Sequence, residues 1–223
     1  MTRAGTVLLL GPPASGKGTQ SVLLARKYQL PHVSLGEILR SHVQSGGEFA
    51  EEAAPFLAAG MSVPVQLMGR VIRTRLCAPD MGRGFIGDGL VRTLGQAHEL
   101  DAILADLSIP LIAVFHIEVP MEEVLLRTRQ RIWCPRCGAS FSRNLFSADR
   151  PSFCVGDNEP LVPRADDSWN IVERRFRNHE ESVPEILTYY QKQGLLHEID
   201  GRQAIDDVHS DISDVCSRRS NRP

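Results

Sequence analysis

The sequence predicts an α/β protein built on one parallel sheet with helices on its faces. Three observations carry that expectation. Apolar strand-like runs alternate with amphipathic helical stretches over most of the 223 residues. A glycine-rich segment, Gly11-Pro12-Pro13-Ala14-Ser15-Gly16-Lys17-Gly18-Thr19, stands between the first apolar run and the first helical stretch. One long stretch, about 133–167, has no period and is rich in Cys, Pro, Gly, Ser and Arg, which marks an insertion into the alternating core.

The elements follow in order. Residues 6–10 form the first strand and 16–28 its helix. A short extended piece at 32–34 precedes a helix that begins near Gly36. Two more helical stretches cover 48–59 and 65–76. Residues 84–88 read as a buried strand that ends in an acid, and 96–106 as a helix. The longest strand signal is 110–119, after which Pro120 and Met121 open a helix to about Arg131. Beyond the insertion, a long helical pattern over 168–193 is interrupted at Pro184 and stopped by Gly194. A strand at 195–199 and a helix at 204–216 close the pattern, and the polar residues 217–223 are expected to fray.

Composition narrows the function. Hydrophobic and charged fractions of 42% and 23% are those of an ordinary globular chain with ample material for one core. A formal charge of -2 argues against a generalised attraction to nucleic acid or membrane. No apolar run is long enough to span a bilayer, and the start lacks a secretory pattern, so the cytoplasm is the expected location.

Strand, glycine-rich loop and helix together form the context a phosphate-binding loop requires. Backbone N–H groups of such a loop converge on an anion, and the following helix adds its positive end. Lys17 places an ammonium on the β- and γ-phosphates. The strict pattern has Ser or Thr directly after the lysine, as a Mg²⁺ ligand; here Gly18 holds that place and Thr19 follows. The expectation is a Mg²⁺ held mainly by phosphates and water.

Cys134-Pro135-Arg136-Cys137-Gly138 has the spacing that presents two thiolates to one ion. Cys154 offers a third, and Asp157 lies at the same spacing from it. No His occurs between His116 and His179, so the fourth ligand is expected to be Asp157, with Asp149 the weaker candidate. A disulfide is disfavoured in a reducing compartment. The ligand set therefore predicts a closed, structural Zn²⁺ site. Cys77 and Cys216 lie in helical patterns and read as small buried hydrophobes.

Several segments then coincide with one family. They are GPPASGKGTQ at 11–20, SLGEILR at 34–40, GMSV at 60–63 and GFIGDGLVRTLGQ at 84–96. RTRQRIWCPRCG at 127–138, the Cys154 to Asp157 pair, RADDSWNIVERR at 164–175 and Asp200-Gly201 complete them. In this order, over nearly the whole chain, they resemble the adenylate kinases in their zinc-containing lid form.

The resemblance implies a P-loop core over 1–33, 64–130 and 168–223, a nucleoside-monophosphate-binding segment over 34–63 and a zinc-stabilised lid over 131–167. It implies Mg²⁺-dependent phosphoryl transfer from ATP to AMP, giving two ADP, by a cytoplasmic monomer with no nucleic-acid or membrane partner. Ala14, Ser15, Gly16, Lys17, Gly18 and Thr19 would hold the ATP phosphates. Arg127, Arg131, Arg164 and Arg175 would close over them and over the transferred group. Ser140, Phe141 and the backbone of Gln203 would lie near the ATP base and ribose. Arg40 and Arg92 would grip the AMP phosphate, joined by Arg164 and Arg175. Gln96 would read the adenine edge, in a pocket lined by Leu35, Met61, Ser62, Val63, Gly89, Leu90 and Val91. Lys17, Asp88, Arg92, Arg131, Arg164 and Arg175 would carry the chemistry, with Asp88 organising Mg²⁺-bound water. Asp166 and Asp167 would pair with arginines in the closed state, while Arg129, Arg174 and Arg177 read as surface residues.

The arginines make chemical sense without the resemblance. An acceptor phosphate is already anionic and needs no general base; repulsion between two polyanions is the obstacle, and guanidiniums remove it. Three residues depart from the family's pattern. Leu35 replaces a small hydroxyl residue in the base pocket, which leaves another acceptor base open. Val91 replaces a proline before Arg92, so a trans peptide is expected there. Ala14 replaces a loop glycine, at a cost if the position needs a positive φ. The remaining alternative is a non-catalytic nucleotide-binding protein that contacts a partner through its zinc ribbon.

Overall fold

The computed structural model describes residues 5–146 and 152–220. The chain runs β1 (Thr6–Leu10), α1 (Lys17–Tyr28), β2 (His32–Ser34), α2 (Leu35–Ser45), α3 (Ala50–Ala59) and α4 (Val65–Leu76). It continues through β3 (Ile86–Asp88), α5 (Leu94–Asp106), β4 (Leu111–Glu118) and α6 (Met121–Gln130). The insertion holds β5 (Arg131–Trp133) and β6 (Ser140–Ser142), and α7 (Trp169–Lys192), β7 (Leu196–Asp200) and α8 (Ile205–Ser220) follow.

Five strands pair in the order β2-β3-β1-β4-β7, every pair parallel. The central strand is buried on both sides, as a continuous apolar run in a parallel sheet requires. Its side chains alternate between two cores. Leu8 and Leu10 face a large layer with residues of α2, α4, α5 and α7, including Leu39, Met68, Ile72, Leu100 and Tyr190. Val7 and Leu9 face a second layer with Leu24, Val208 and Ile212 of α1 and α8. The order places β1 where the chain's crossovers change direction. The crevice beyond its C-terminal end is thereby open to a ligand.

Three differences from the sequence expectation have physical causes. Helix α7 runs unbroken through Pro184. The proline removes one backbone bond, but buried Val183 and Ile186 on either side hold both halves to the core. Residues 217–220 belong to α8, where Cys216 is buried and the Ser217 hydroxyl donates to the Ser213 carbonyl. Residues 221–223 lie outside the described residues. Inside the insertion, β5 and β6 pair antiparallel, with Ile132 opposite Phe141. Trp133 also bridges Val162, and Phe153 bridges Pro160. Strands of three residues are too short to display a period, so the sequence pattern could not announce them.

Candidate active site

The glycine-rich loop joins the C-terminal end of β1 to the first turn of α1, beside the ends of β3 and β4. Gly16 caps the helix with φ 97°. Ala14 has φ 56°, so this position does require the left-handed region. An L-residue there costs roughly 1–2 kcal/mol. Ala14→Gly is therefore expected to raise stability by about 1 kcal/mol or less, part of the gain being cancelled by the looser unfolded chain. The urea midpoint at constant slope measures it; a lower midpoint would mean that the alanine methyl contributes more by packing than it costs by strain.

Lys17 donates from Nζ to the Pro12 carbonyl at 2.8 Å. Burial pushes its pKa down to about 8, with Asp88 opposing and Arg92, Arg131 and Arg175 adding to the shift. The ammonium is still protonated at neutral pH and surrounded by the groups expected around a phosphate. Asp88 ends β3. Burial works to raise its pKa, but His32 and Lys17 outweigh burial and hold the carboxyl below its usual range. Its Oδ1 is buried without a partner. A Cβ on Gly18 would lie 3.3 Å from Asp88 Oδ2. The missing hydroxyl after the lysine thus coincides with a close approach of the Asp88 carboxylate that is tight for any Cβ. The orphaned Oδ1, on the same carboxylate whose Oδ2 approaches Gly18, fits a hard cation with its water shell.

Sequence reasoning missed two neighbours of Asp88. His32 Nε2 is 3.7 Å from Asp88 Oδ2, and His32 Nδ1 is 3.9 Å from Glu37 Oε2. The parallel register, Ser34 beside Asp88, brings them there. A three-residue strand next to a helix start gave no signal of that pairing.

The arginines come from separate elements and converge. Arg164 makes a two-bond fork on Asp166, at 3.0 and 2.9 Å. Arg175 of α7 donates to the same Oδ2 at 2.9 Å, and Arg40 of α2 lies 3.9 Å from it. Burial works to raise the Asp166 pKa, but Arg164, Arg175 and Arg40 hold it far below the usual carboxylate range. Arg92 and Arg40 are each pushed down to about 10, first by burial and then by the other guanidiniums. Arg131 forms a second fork on Asp167. Arg127 donates to the Ser15 carbonyl at 3.3 Å and to the Gly201 carbonyl at 2.8 Å, which joins the phosphate loop to the end of β7. The three arginines read as surface residues are exposed, and Arg174 also donates to the Ala59 carbonyl at 3.0 Å, which ties α7 to α3. Arg129 lies over the Trp169 ring, and Arg177 pairs with Glu173 one turn away.

Gln96 is buried in the first turn of α5. Its Oε1 accepts from the Arg92 N–H at 2.8 Å, and its Nε2 donates to the Val63 carbonyl at 2.8 Å. These two bonds fix which end of the amide is which. Leu35, Val63, Leu90 and Val91 are buried, in the same core layer as Ala97 beside it. Met61 is 47% exposed, Ser62 is half-buried, and Gly89 brings its backbone beside Lys17. Among the described residues no peptide bond is cis, so Val91 follows a trans path and Gln96 secures the turn. Ser140 and Phe141 lie on β6, with Phe141 packed edge-on against Phe146. The Gln203 side chain bonds to the Asp200 carbonyl and Asp211, so only its backbone is free for the expected contact.

Cys134, Cys137, Cys154 and Asp157 bring one ligand atom each to within 4.8 Å of one another. The Cys137–Cys154 sulfur separation is 3.6 Å, and Cys134 Sγ lies 3.3–3.4 Å from the Asp157 oxygens. A tetrahedral zinc with ordinary bond lengths needs ligand separations of roughly 3.5–3.8 Å. The two knuckles are built alike. Gly138 N–H bonds to the Cys134 carbonyl and Asn158 N–H to the Cys154 carbonyl; Cys134 and Cys154 N–H bond to Ala139 and Glu159. Both turns need a left-handed residue, supplied by Gly138 (φ 76°) and Asn158 (φ 56°). The donors therefore fit zinc. Asp149 lies outside the described residues.

Among the described residues no helix is long and apolar enough to cross a membrane. The adenylate kinase family model matches residues 9–195. An adenylate kinase of Acetivibrio thermocellus is 34% identical over 211 residues, 95% of this chain and 97% of the relative. One from Methanothrix thermoacetophila is 36% identical over 212 residues, covering 95% and 98%. One from Methanococcoides burtonii is 37% identical over 206 residues, covering 92% and 95%.

Proposed function

The chain belongs to the adenylate kinase family and is a phosphotransferase; on that premise we propose that it transfers the terminal phosphoryl group of Mg-ATP reversibly to AMP, giving two ADP. The observation that carries this reading is the convergence of Arg40, Arg164 and Arg175, from three elements, on one carboxylate near the phosphate loop. Held apart by Asp166, these guanidiniums are placed in advance to neutralise two polyanions and keep donor, transferred group and acceptor in line. Residues 14–19 and Lys17 would take the ATP phosphates, with Arg127 and Arg131 closing over them. Arg40 and Arg92 would hold the acceptor phosphate. Mg²⁺ with its water, near Asp88, would supply charge neutralisation on the β- and γ-phosphates. Zn²⁺ on Cys134, Cys137, Cys154 and Asp157 would be structural. In this reading residues 34–63 carry the acceptor, residues 131–167 form the lid, and the protein works as a cytoplasmic monomer without nucleic-acid or membrane partners.

The locked Gln96 supports the choice of acceptor. Its two protein bonds leave one amide N–H and one oxygen lone pair. Adenine offers the complement, a ring-nitrogen acceptor beside an amino donor. Guanine and uracil present the reverse order. Cytosine has adenine's order but a smaller ring, so CMP is the second reading, favoured only by the apolar, buried Leu35.

The test is ADP formation from Mg-ATP with AMP, dAMP, CMP, UMP and GMP offered separately. Turnover is expected with AMP, with GMP and UMP lower by at least about 10²-fold because a buried polar edge would be mispaired. A preference for CMP would establish the second reading. No acceptor-dependent turnover in zinc-loaded protein would overturn both.

A further inference from the structure

Buried His116 and half-buried His179 form a pair that none of the expected site residues includes. Their Nε2 atoms are 3.4 Å apart. The ring centroids are 5.5 Å apart with planes inclined by 32°, so the rings meet almost end to end. His116 is 5% exposed, and its Nδ1 is buried without a partner. An unpaired buried lone pair is tolerated better than an unpaired buried N–H. That assigns the protons: His116 Nε2–H donates, His179 Nε2 accepts, and the His179 proton sits on Nδ1.

The position of the pair gives it meaning. His116 is the partner of Leu10 in the β1–β4 register, the last residue before the phosphate loop. His179 lies four residues after Arg175 on α7, on the same helix face and one turn away. The pair therefore joins the strand that flanks the loop to the helix turn that carries Arg175.

We propose that His116 and His179 are positioning residues, a proton-sensitive tether that fixes Arg175 relative to the phosphate loop. This rests on the proposed phosphoryl transfer. Both imidazoles are neutral at neutral pH. Burial pushes the His179 pKa down to about 3, helped by His116, Lys17 and Arg92. Burial also lowers that of His116, with Lys17 adding and Glu118 and Glu198 opposing. The sign follows. A closed pair resists protonation, whereas an opened imidazole takes up a proton below pH ~6.5. Acid thus favours the open form progressively, and Arg175 loses its support.

The experiment compares wild type, His179→Ala, His179→Gln and His116→Gln. Each is followed by kcat and KM against pH, thermal midpoint and imidazole nitrogen NMR. Glutamine places an amide where Nε2 stood but does not titrate. His179→Ala is expected to lower kcat about tenfold at pH 7 with KM for ATP within about twofold, by misplacing a group used in the transition state. The glutamine variants are expected to recover most of kcat and to lose the wild-type acid limb. Nitrogen shifts should show His116 protonated on Nε2 and His179 on Nδ1, with neither titrating near 6.5. A His179→Ala protein that is less stable yet keeps wild-type kcat and acid limb would overturn the tether. So would two imidazoles that titrate independently near 6.5. Absence of wild-type turnover with every monophosphate overturns the proposed reaction instead, and the nitrogen shifts still decide whether the pair exists.

Discussion

Lys17→Met is expected to lower turnover by about 10²–10³-fold while leaving the protein at least as stable as before. The two halves of this result have one cause. Lys17 is held in its charged form although burial pushes its pKa down to about 8, well under the 10.5 of a free lysine. Between those values the unfolded chain binds the proton more readily than the native one, so the native state is penalised for keeping the charge. Methionine has similar length and no charge to desolvate. It also forfeits the bond to the Pro12 carbonyl, which is the minor term because that acceptor keeps a second route to the loop backbone or water. Turnover falls because nothing else in residues 11–19 carries a positive side chain. A coupled assay and a thermal melt on the same sample test both halves. Turnover within about threefold of wild type would remove Lys17 from the transferring machinery.

Cys134→Ala is expected to release the zinc and unfold the insertion while the parallel core persists. Loss of a metal is among the few changes that cost more than about 4 kcal/mol, which in a chain of this size moves a midpoint by roughly 8–16 °C. The insertion has little else to replace it. Its strands are three residues long, and Val155 and Val162 are exposed. Zinc content should fall from one ion per chain to none, and a protease should cut within 131–167 before it cuts elsewhere. The chemical step, measured on the surviving closed fraction, should change less than the midpoint does. A variant that keeps one zinc per chain would reject Cys134 as a ligand.

What the sequence made legible is local. The loop at 11–19 announced itself because strand, glycines and helix are contiguous. The Cys134 and Cys137 knuckle did so for the same reason, and Asp157 followed from repeating its spacing. The core strands were readable in place, β2 only as a short extended piece at 32–34, although β3 is shorter at its start than the run that contains it. Features that depend on distant chain meeting distant chain were not readable. His116 and His179 are 63 positions apart, and neither has a motif around it. His32 reaches Asp88 only through strand register. The left-handed φ of Asn158 gave no signal, and that of Ala14 stood only as a condition, because the residue there is not the glycine that would announce it. Pro184 misled in the other direction, since a local rule about prolines knows nothing of the core beneath Val183 and Ile186.

The carboxylate of Asp166 has a further consequence. A cleft of bare guanidiniums would behave as a general ion exchanger and fill with whichever phosphate is most abundant in its surroundings. This one comes already loaded with its own counter-ion, covalently attached and at an effective concentration no free anion matches. An incoming ligand must displace part of that grip to enter. A single small anion gains little by the exchange, whereas a chain of phosphates that also reaches Lys17 and Arg127 gains several contacts at once. The site thus sets an entry threshold in charge and length.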